Sequence, residues 1–427
     1  MRLERSTSLL VGFVVLAALA VWVQNAIIPL NEPFWGLFDY QLDLDVYRAG
    51  AQTVLDGEPL YRAKLLGQMD FTYAPISIVL FTPFAWMPAG VAHVVWSVLI
   101  FVALYFVIVL SFRSLGHDVT WKLRGVAASL VVISTLLEPV RSTIWFGQIN
   151  IFLMLLILWD LLRPEGSRLR GVGAGVAAGI KLTPLLFVVY LLLVRQWRAA
   201  ATLVGGFALT VAVGFALMPR DSWTYWTDTL FDPDRVSSPQ TAGNQSIRGA
   251  LANIGHTDKP SSLWWILIVL AVLALCLYAA VLAHRHVHEL LSLSLVGMTS
   301  CAVSPVAWGH HWVWLVPLLV FAIHLLTTLR SPIAWAEVAE LTVAGFLTGF
   351  AWRHYLGYPI WYVNRSVEYA YLTGTFFKGN DPSIRWFTVQ PYNWILLVTA
   401  LVTVAVYTVV DRRSAPEARL SDPAGSL

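Results

Sequence analysis

Residues 171–194 read GVGAGVAAGIKLTPLLFVVYLLLV, and this stretch decides how the chain is threaded. It is apolar and long enough to cross a bilayer as a helix, yet it has Lys181 in its middle and basic residues beyond both ends. Because cytoplasmic loops are rich in Lys and Arg, a single crossing would put Arg195 and Arg198 outside and invert every later loop. A helical hairpin that turns near Lys181–Pro184 keeps both ends inside.

Non-helical backbone within the membrane needs protein or a wet cavity around it, so we expect this hairpin to lie against an internal site. The alternative is one long tilted span with a lysine at mid-membrane. At the turn, Lys181 is a candidate partner for a lipid phosphate, and a structural ion pair is the other interpretation.

The composition predicts an all-α polytopic membrane protein. The chain has 427 residues, of which 58% are hydrophobic and 12% charged, and its mean hydropathy is +0.67. A net charge of +3, with basic residues at span ends, does not indicate a nucleic-acid partner. We expect ten full spans besides the hairpin, at approximately 9–30, 90–112, 125–140, 146–162, 199–217, 263–283, 289–307, 312–329, 334–352 and 393–410.

Charge placement predicts the topology. The first apolar run is longer than the hydrophobic core of a signal peptide, so we expect it to be retained as a span. The basic span ends should be cytoplasmic, which leaves four outer stretches, at residues 31–74, 139–145, 218–262 and 353–392. We expect one membrane domain over residues 1–413, a disordered cytoplasmic tail over 414–427, and no disulfide between Cys276 and Cys301.

Two carboxylates follow the first span closely. Asp43 and Asp45, in DLDVY, can return to the membrane face, where a lipid-linked substrate presents its head group. Because residues two apart on a helix point about 200° away from each other, we expect one of the two to enter a site. The alternative is a solvated loop acid or a helix N-cap.

Adjacent histidines occur in SPVAWGHHW, residues 304–312. His310 and His311 lie between two spans, where an imidazole can donate to a phosphate or position a hydroxyl. No carboxylate or second histidine follows at a metal-ligand spacing, so we expect no metal site. The alternative is an interfacial belt of aromatic residues around the histidines.

Two further polar clusters fall on predicted outer stretches. GNQSIRGAL, residues 243–251, offers the directional donors of Asn244, Gln245 and Arg248 to a sugar or phosphate, although it could be only a turn and a helix cap. In WFGQIN, Gln148 and Asn150 start a span and either line a cavity or bond to neighbouring helices.

An ordered set of motifs resembles glycosyltransferase family 87, whose members are GT-C-type membrane enzymes that use polyprenyl-phosphate-mannose or a related lipid-linked sugar. The resemblance covers approximately residues 40–320. Its motifs are DLDVYRAGAQTVLDGEPLY, FTYAPISIVLFTPFAWMP, GQINIFLMLLILWDLL, GIKLTPLLFVVYLLLVRQWRAA, GNQSIRG and SPVAWGHHWVWLVPL.

The resemblance implies an extracytoplasmic mannosyltransferase of the cell membrane, with a catalytic first outer loop. The donor would be polyprenyl-phosphate-mannose and the acceptor a phosphatidylinositol mannoside, lipomannan or lipoarabinomannan, joined by an inverting α-(1→2) transfer without cofactor or metal. Asp43 matches the family's acid and is the expected general base, with Asp45 as the alternative. The resemblance does not decide which of the two histidines acts; we prefer His311 over His310.

The remaining polar residues divide between the two substrates. We expect the histidines, Lys181 and Arg248 to bind the donor phosphate. Sugar or acceptor contacts are expected from Tyr47, Gln148, Asn150, Asn244 and Gln245. Alternative functions are a polyprenyl-phosphate-pentose-dependent arabinosyltransferase or a lipid-linked sugar transporter, although a transporter should show inverted repeats and none is evident.

Overall fold

The computed structural model describes residues 3–232, 235–328 and 385–420, and over these ranges the chain forms helices without β-strands. Short 3₁₀ helices cover Leu3–Arg5, Thr183–Leu185, Thr229–Phe231 and Gly309–His311. The α-helices are α1 Thr7–Ile27, α2 Leu42–Leu55, α3 Ser77–Ala85, α4 Ala89–Ser114, α5 Trp121–Ser134, α6 Glu138–Phe146, α7 Asn150–Leu161, α8 Val172–Ile180, α9 Leu186–Leu193, α10 Trp197–Leu217, α11 Pro219–Thr227, α12 Ile247–Gly255, α13 Ser262–Arg285, α14 Glu289–Val303, α15 Leu315–Thr328, α16 Arg385–Thr388 and α17 Pro391–Leu420.

Five described helices are long and apolar enough to cross a membrane, so the chain is a membrane protein that is helical over the described ranges. Much of their apolar surface faces outward, as lipid solvation requires; the side chain of Trp22 is 67% exposed. These spans are Thr7–Ala26, Ala89–Ser114, Trp197–Leu217, Ser262–Arg285 and Pro391–Arg412.

Several predicted spans differ from the helices observed. The predicted span 125–140 is broken, because α5 and α6 meet at 79°. Four other apolar helices are only 10–17 residues long: Asn150–Leu161, Thr183–Leu193, Glu289–Val303 and Leu315–Thr328. Every residue from Leu290 to Ala302 in α14 is buried, so this helix is apolar because protein surrounds it rather than lipid.

Three predictions fall wholly or partly outside the described residues. The predicted span 334–352 lies there, as does most of the outer stretch 353–392. The predicted disordered tail, 414–427, is only half described: the backbone of α17 stays helical through its residues 414–420, and residues 421–427 are outside the described ranges.

The stretch from Val172 to Leu193 folds back on itself. Helix α8 runs parallel to α10, because Gly171 lies against Ala199 and Gly179 against Thr210. A Cβ on Gly175 would lie 2.2 Å from the Leu203 carbonyl oxygen, so only glycine permits this approach.

The two ends of this segment then meet. Arg170, just before α8, donates a side-chain hydrogen bond to Gln196, just after α9. The start of α8 and the end of α9 therefore lie together, beside the first residues of α10. The intervening backbone is extended at Lys181, with φ −143° and ψ 125°. The segment is therefore a helical hairpin with Lys181 at its turn.

Candidate active site

A cavity of about 1340 Å³ opens between α2, α6, the hairpin turn and the segment that joins α14 to α15. Aromatic side chains form part of its wall, and acidic and basic side chains from several segments also line it. The residues expected from the sequence that line it are Asp43, Tyr47, Gln148, Lys181, Arg248, His310 and His311.

Asp43 lies in the first turn of α2 and faces this cavity. Its Oδ2 accepts a hydrogen bond from Gln148 Nε2 at 2.5 Å. Burial raises the pKa of Asp43 to about 6, while the Gln148 hydrogen bond and the positive charge of Lys181 oppose that rise. A carboxylate with this pKa is ionised at neutral pH and is a better base than an exposed aspartate.

Asp45 points away from the cavity. Its Oδ1 accepts hydrogen bonds from Arg48 Nη1 at 3.1 Å and lies 2.9 Å from His93 Nε2. Two residues along a helix are about 200° apart, which explains why the neighbouring acids face different partners. Asp45 therefore fastens α2 to the start of α4.

The side chain of Gln148 is fixed by its oxygen. Oε1 accepts hydrogen bonds from the hydroxyls of Tyr47 and Tyr73, at 3.0 and 3.1 Å, and from Asn150 Nδ2 at 3.3 Å. Asn150 Oδ1 accepts from Lys181, so its other side-chain atom is the NH₂ donor, and the Gln148 atom that it meets must be the carbonyl oxygen. The NH₂ group of Gln148 is left to face Asp43.

A left-handed turn brings Gln148 to α2. Gly147 ends α6 with φ 69°, and its carbonyl oxygen accepts a hydrogen bond from Trp96 Nε1 at 2.8 Å. A Cβ at this position would lie 2.8 Å from the Cβ of Leu44, so a side chain would push α6 away from α2. The glycine in GQIN thus places the amide beside Asp43.

Lys181 lies between two acceptors at the hairpin turn. Its Nζ donates to Asn150 Oδ1 at 2.9 Å and lies 2.9 Å from His311 Nε2. An ammonium group only donates, so His311 Nε2 must accept and its proton must be on Nδ1. Burial lowers the pKa of His311, with Lys181 contributing, in agreement with a neutral ring.

His310 is buried beside the cavity, with its ring 5.4 Å from that of Phe146. Its carbonyl oxygen accepts hydrogen bonds from Asn150 Nδ2 at 3.0 Å and Thr143 Oγ1 at 3.3 Å. Within the described part of the chain, His310 Nε2 has no hydrogen-bond partner. Burial also lowers the pKa of this histidine, so neither imidazole is positioned as a cation.

Of the GNQSIRG residues, only Gly243 and Arg248 line the cavity. The Arg248 guanidinium lies 5.7 Å from the centre of the Trp265 ring. Asn244 and Gln245 are fully buried. Asn244 Oδ1 accepts a hydrogen bond from the backbone N–H of Ala307 at 3.1 Å, and the backbone N–H of Gln245 donates to the Ala307 carbonyl oxygen at 2.6 Å. This pair holds the segment that leads to the histidines and does not line the cavity.

The cavity wall also contains polar groups that the sequence did not assign to it. Tyr73 comes from the apolar motif FTYAPIS, where nothing marks its hydroxyl as functional. Glu138 accepts hydrogen bonds from Ser142 and from Tyr392, 254 positions later. The sequence feature that could have indicated this part of the site is the pair of charged residues Glu138 and Arg141 within a largely apolar run.

Two features of the described residues concern metal and redox chemistry. No group of three His, Cys, Asp or Glu side chains in those ranges is arranged to hold a metal ion. Cys276 and Cys301 are both free and buried.

The helical membrane fold and the acid-containing cavity define a membrane protein with an open cavity that holds both charged and aromatic side chains. The model of glycosyltransferase family 87 matches residues 71–305. The chain therefore belongs to glycosyltransferase family 87, and it is a glycosyltransferase.

Curated relatives support this assignment over most of the chain. The chain is 36% identical over 337 residues, 74% of its length and 78% of the relative's, to a polyprenol-phosphate-mannose-dependent alpha-(1-2)-phosphatidylinositol mannoside mannosyltransferase of Mycobacterium tuberculosis. It is 34% identical over 397 residues, 90% of its length and 92% of the relative's, to a polyprenol-phosphate-mannose-dependent alpha-(1-2)-phosphatidylinositol pentamannoside mannosyltransferase of Mycolicibacterium smegmatis. No solved structure matches significantly.

Proposed function

We propose that this glycosyltransferase moves mannose from polyprenyl-phosphate-mannose to a phosphatidylinositol mannoside or a related lipid-linked mannan, with an α-(1→2) linkage. The activities for which the relatives are named support this donor, this acceptor class and this linkage. Lipomannan and lipoarabinomannan are acceptors of the same chemical class.

The observation that carries the proposal is a hydrogen-bonded chain that joins a carboxylate to an ammonium group inside one cavity. It runs from Asp43 through Gln148 and Asn150 to Lys181. Glycosyl transfer from a lipid phosphate needs a base for the acceptor hydroxyl and positive charge for the departing phosphate. This chain holds both at a fixed separation.

In the proposed reaction, Asp43 removes the proton of an acceptor hydroxyl. Its Oδ2 is held by Gln148, which leaves Oδ1 for the substrate. The hydroxyl oxygen attacks the anomeric carbon while the bond from that carbon to the phosphate oxygen breaks, and the electron pair leaves with the lipid phosphate. Attack opposite the leaving group inverts the anomer, so a β-linked donor gives an α-mannoside.

Lys181 is the proposed partner of the departing phosphate, because its charge stabilises an oxygen that becomes more negative during bond cleavage. His311 acts by holding Lys181 rather than by donating through Nε2, since that nitrogen already accepts from the lysine. Arg248, farther along the same wall, is a second candidate for the donor head group.

We also propose that the cavity opens to the extracytoplasmic face of the plasma membrane. Basic residues surround the open end of the hairpin, where Arg170 meets Glu289 and Arg195 precedes α10. The positive-inside tendency makes that end cytoplasmic. Lys181, at the opposite end of the hairpin, then lies toward the outer face with Asp43.

The test is transfer by purified protein with radiolabelled polyprenyl-phosphate-mannose and a panel of lipid-linked mannosides. We expect a product whose new linkage is α-(1→2). Transfer of a pentose from a polyprenyl-phosphate-pentose, without transfer of mannose, would overturn the choice of donor. Absence of product from every lipid-linked sugar would overturn the proposed reaction.

A further inference from the structure

We propose that Arg141 binds the phosphodiester of the acceptor lipid, at a site separate from the one that takes the donor phosphate. This inference rests on the proposed function, because both substrates of that reaction contain a phosphodiester. Arg141 lines the cavity from the middle of α6 and is only 6% exposed.

The guanidinium of Arg141 has only weak, neutral partners. It donates to Gln24 Oε1 at 3.4 Å and to the Trp35 carbonyl oxygen at 3.2 Å. In the ranges that the structure describes, no carboxylate oxygen lies within 4.0 Å of it. A buried charge without a counter-ion is costly, and a bound anion would remove that cost.

The nearest acid on the same helix is already engaged. Glu138 lies one turn before Arg141, and its two carboxylate oxygens accept from the hydroxyls of Ser142 and Tyr392. One oxygen of Glu138 is therefore bonded within α6 and the other to α17, and the guanidinium of Arg141 keeps unused N–H groups. A planar guanidinium suits two oxygens of one phosphate.

The surroundings of Arg141 favour an anion attached to lipid. Trp35 stacks on Trp145 with ring centres 5.6 Å apart, and Tyr40 stacks on the other side of the same indole at 4.6 Å. These rings line the cavity, and Gln24 lies in the last turn of the first candidate span. Aromatic rings at the end of a span are typical of the level at which lipid head groups lie.

The place of Arg141 relative to the reacting groups favours the acceptor over the donor. In the described ranges, the hydrogen bonds of Arg141 go to Gln24 and Trp35, so its guanidinium is not part of the hydrogen-bonded chain from Asp43 to Lys181. The donor phosphate is bonded to the reacting carbon, so it must bind close to that chain. The acceptor phosphate lies beyond at least one sugar ring from the reacting hydroxyl, and two phosphates repel each other when close.

The test compares Arg141→Gln, Arg141→Lys and wild type in the transfer assay with two acceptors. One is a phosphatidylinositol mannoside, and the other is a synthetic lipid α-mannoside without phosphate. Arg220→Gln is the matched control, because Arg220 is exposed and does not line the cavity. For Arg141→Gln we expect the KM for the phosphatidylinositol mannoside to rise roughly ten- to a hundredfold. The KM for the donor should stay within about threefold of the wild-type value. The acceptor KM of Arg141→Lys should lie between those of wild type and Arg141→Gln.

Each outcome decides the inference. A rise in KM that is confined to the phosphate-bearing acceptor supports the inference. Equal loss with both acceptors indicates a structural role and overturns it, and a rise in donor KM alone assigns Arg141 to the donor phosphate and also overturns it. If wild type does not use the phosphate-free mannoside, the two KM values of Arg141→Gln decide: a rise for the acceptor alone supports the inference, and equal rises for acceptor and donor overturn it. If wild type transfers mannose to no acceptor, the proposed function fails, a result distinct from unchanged kinetics in Arg141→Gln.

Discussion

Gln148 donates its side-chain amide to the carboxylate of Asp43, with Nε2 and Oδ2 2.5 Å apart. A flipped amide would turn its NH₂ group toward the NH₂ group of Asn150, which can only donate, so the oxygen of Gln148 stays on that side. The carboxylate is consequently fixed in direction and partly stabilised in its charged form. Such an arrangement suits a base that must be ionised before it meets its substrate.

Replacement of Asp43 by asparagine should abolish transfer while donor binding persists. The amide preserves the shape of the carboxylate and removes its basicity, which is typically worth ~10² to 10⁴ in rate. The measurement is kcat with polyprenyl-phosphate-mannose, together with a titration of a non-hydrolysable polyprenyl-phosphonate analogue.

Asp45→Asn is the matched control for this change. Its carboxylate is engaged by Arg48 and His93 outside the cavity, so transfer should fall much less than in Asp43→Asn. A larger loss in Asp45→Asn than in Asp43→Asn would show that the wrong carboxylate has been assigned as the base.

The sequence predicted the part of this site that is formed by short motifs. The hairpin followed from the basic residues at both ends of one apolar run, and six of the side chains expected at the site lie in or beside one hydrogen-bonded chain. Local patterns carry such information because charge and turn residues act over a few positions.

Long-range pairing could not be predicted from the sequence. The bond of Tyr392 to Glu138 joins residues 254 positions apart, and neither one marks the other in a single sequence. The complete enclosure of α14 by protein could not be predicted either, because hydropathy does not distinguish a helix surrounded by protein from one surrounded by lipid. Asn244 and Gln245 were expected at the cavity because polar side chains that hold a loop resemble those that bind a sugar.

The pH dependence of transfer should report the ionisation of Asp43. Its pKa of about 6 means that kcat/KM should fall as pH drops through 6, approaching about tenfold per unit below that value, because the protonated acid cannot accept a proton. Gln148→Leu removes a hydrogen bond that lowers this pKa, so the acidic limb should move to higher pH.

Gln52→Leu provides the control for the pH measurement, since Gln52 is an exposed glutamine on α2, the helix of Asp43, and its side chain bonds to Asp56. Its profile should coincide with that of wild type. An acidic limb that shifts downward in Gln148→Leu would contradict the proposed effect of this amide on Asp43.

Lys181 and His311 should act together on donor affinity. Lys181→Met removes the charge and should weaken binding of the phosphonate analogue roughly ten- to a hundredfold. His311→Gln retains an acceptor for the Lys181 ammonium and should bind better than His311→Leu, which lacks one. Isothermal titration of the four proteins measures these differences, and equal affinity throughout would leave both residues with a structural role only.

The orientation of the chain can be tested with single cysteines and a membrane-impermeant thiol reagent. Cysteines at Asp56 and Lys259, both exposed and on predicted outer stretches, should react from outside intact cells. Cysteines at Asp118 and Arg198, exposed at the predicted cytoplasmic end, should react only after the membrane is permeabilised. The native Cys276 and Cys301 are buried and supply the background signal. The decisive position is 198: the Arg170–Gln196 hydrogen bond places the two ends of the hairpin on one side, and α5–α6 followed by α7 crosses outward and back, so residue 198 should share the side of residue 118. Labelling at 198 from outside, with 118 protected, would mean that residues 171–194 cross the membrane once. Labelling at 118 and 198 but not at 56 or 259 would instead invert the whole protein and place Asp43 on the cytoplasmic face.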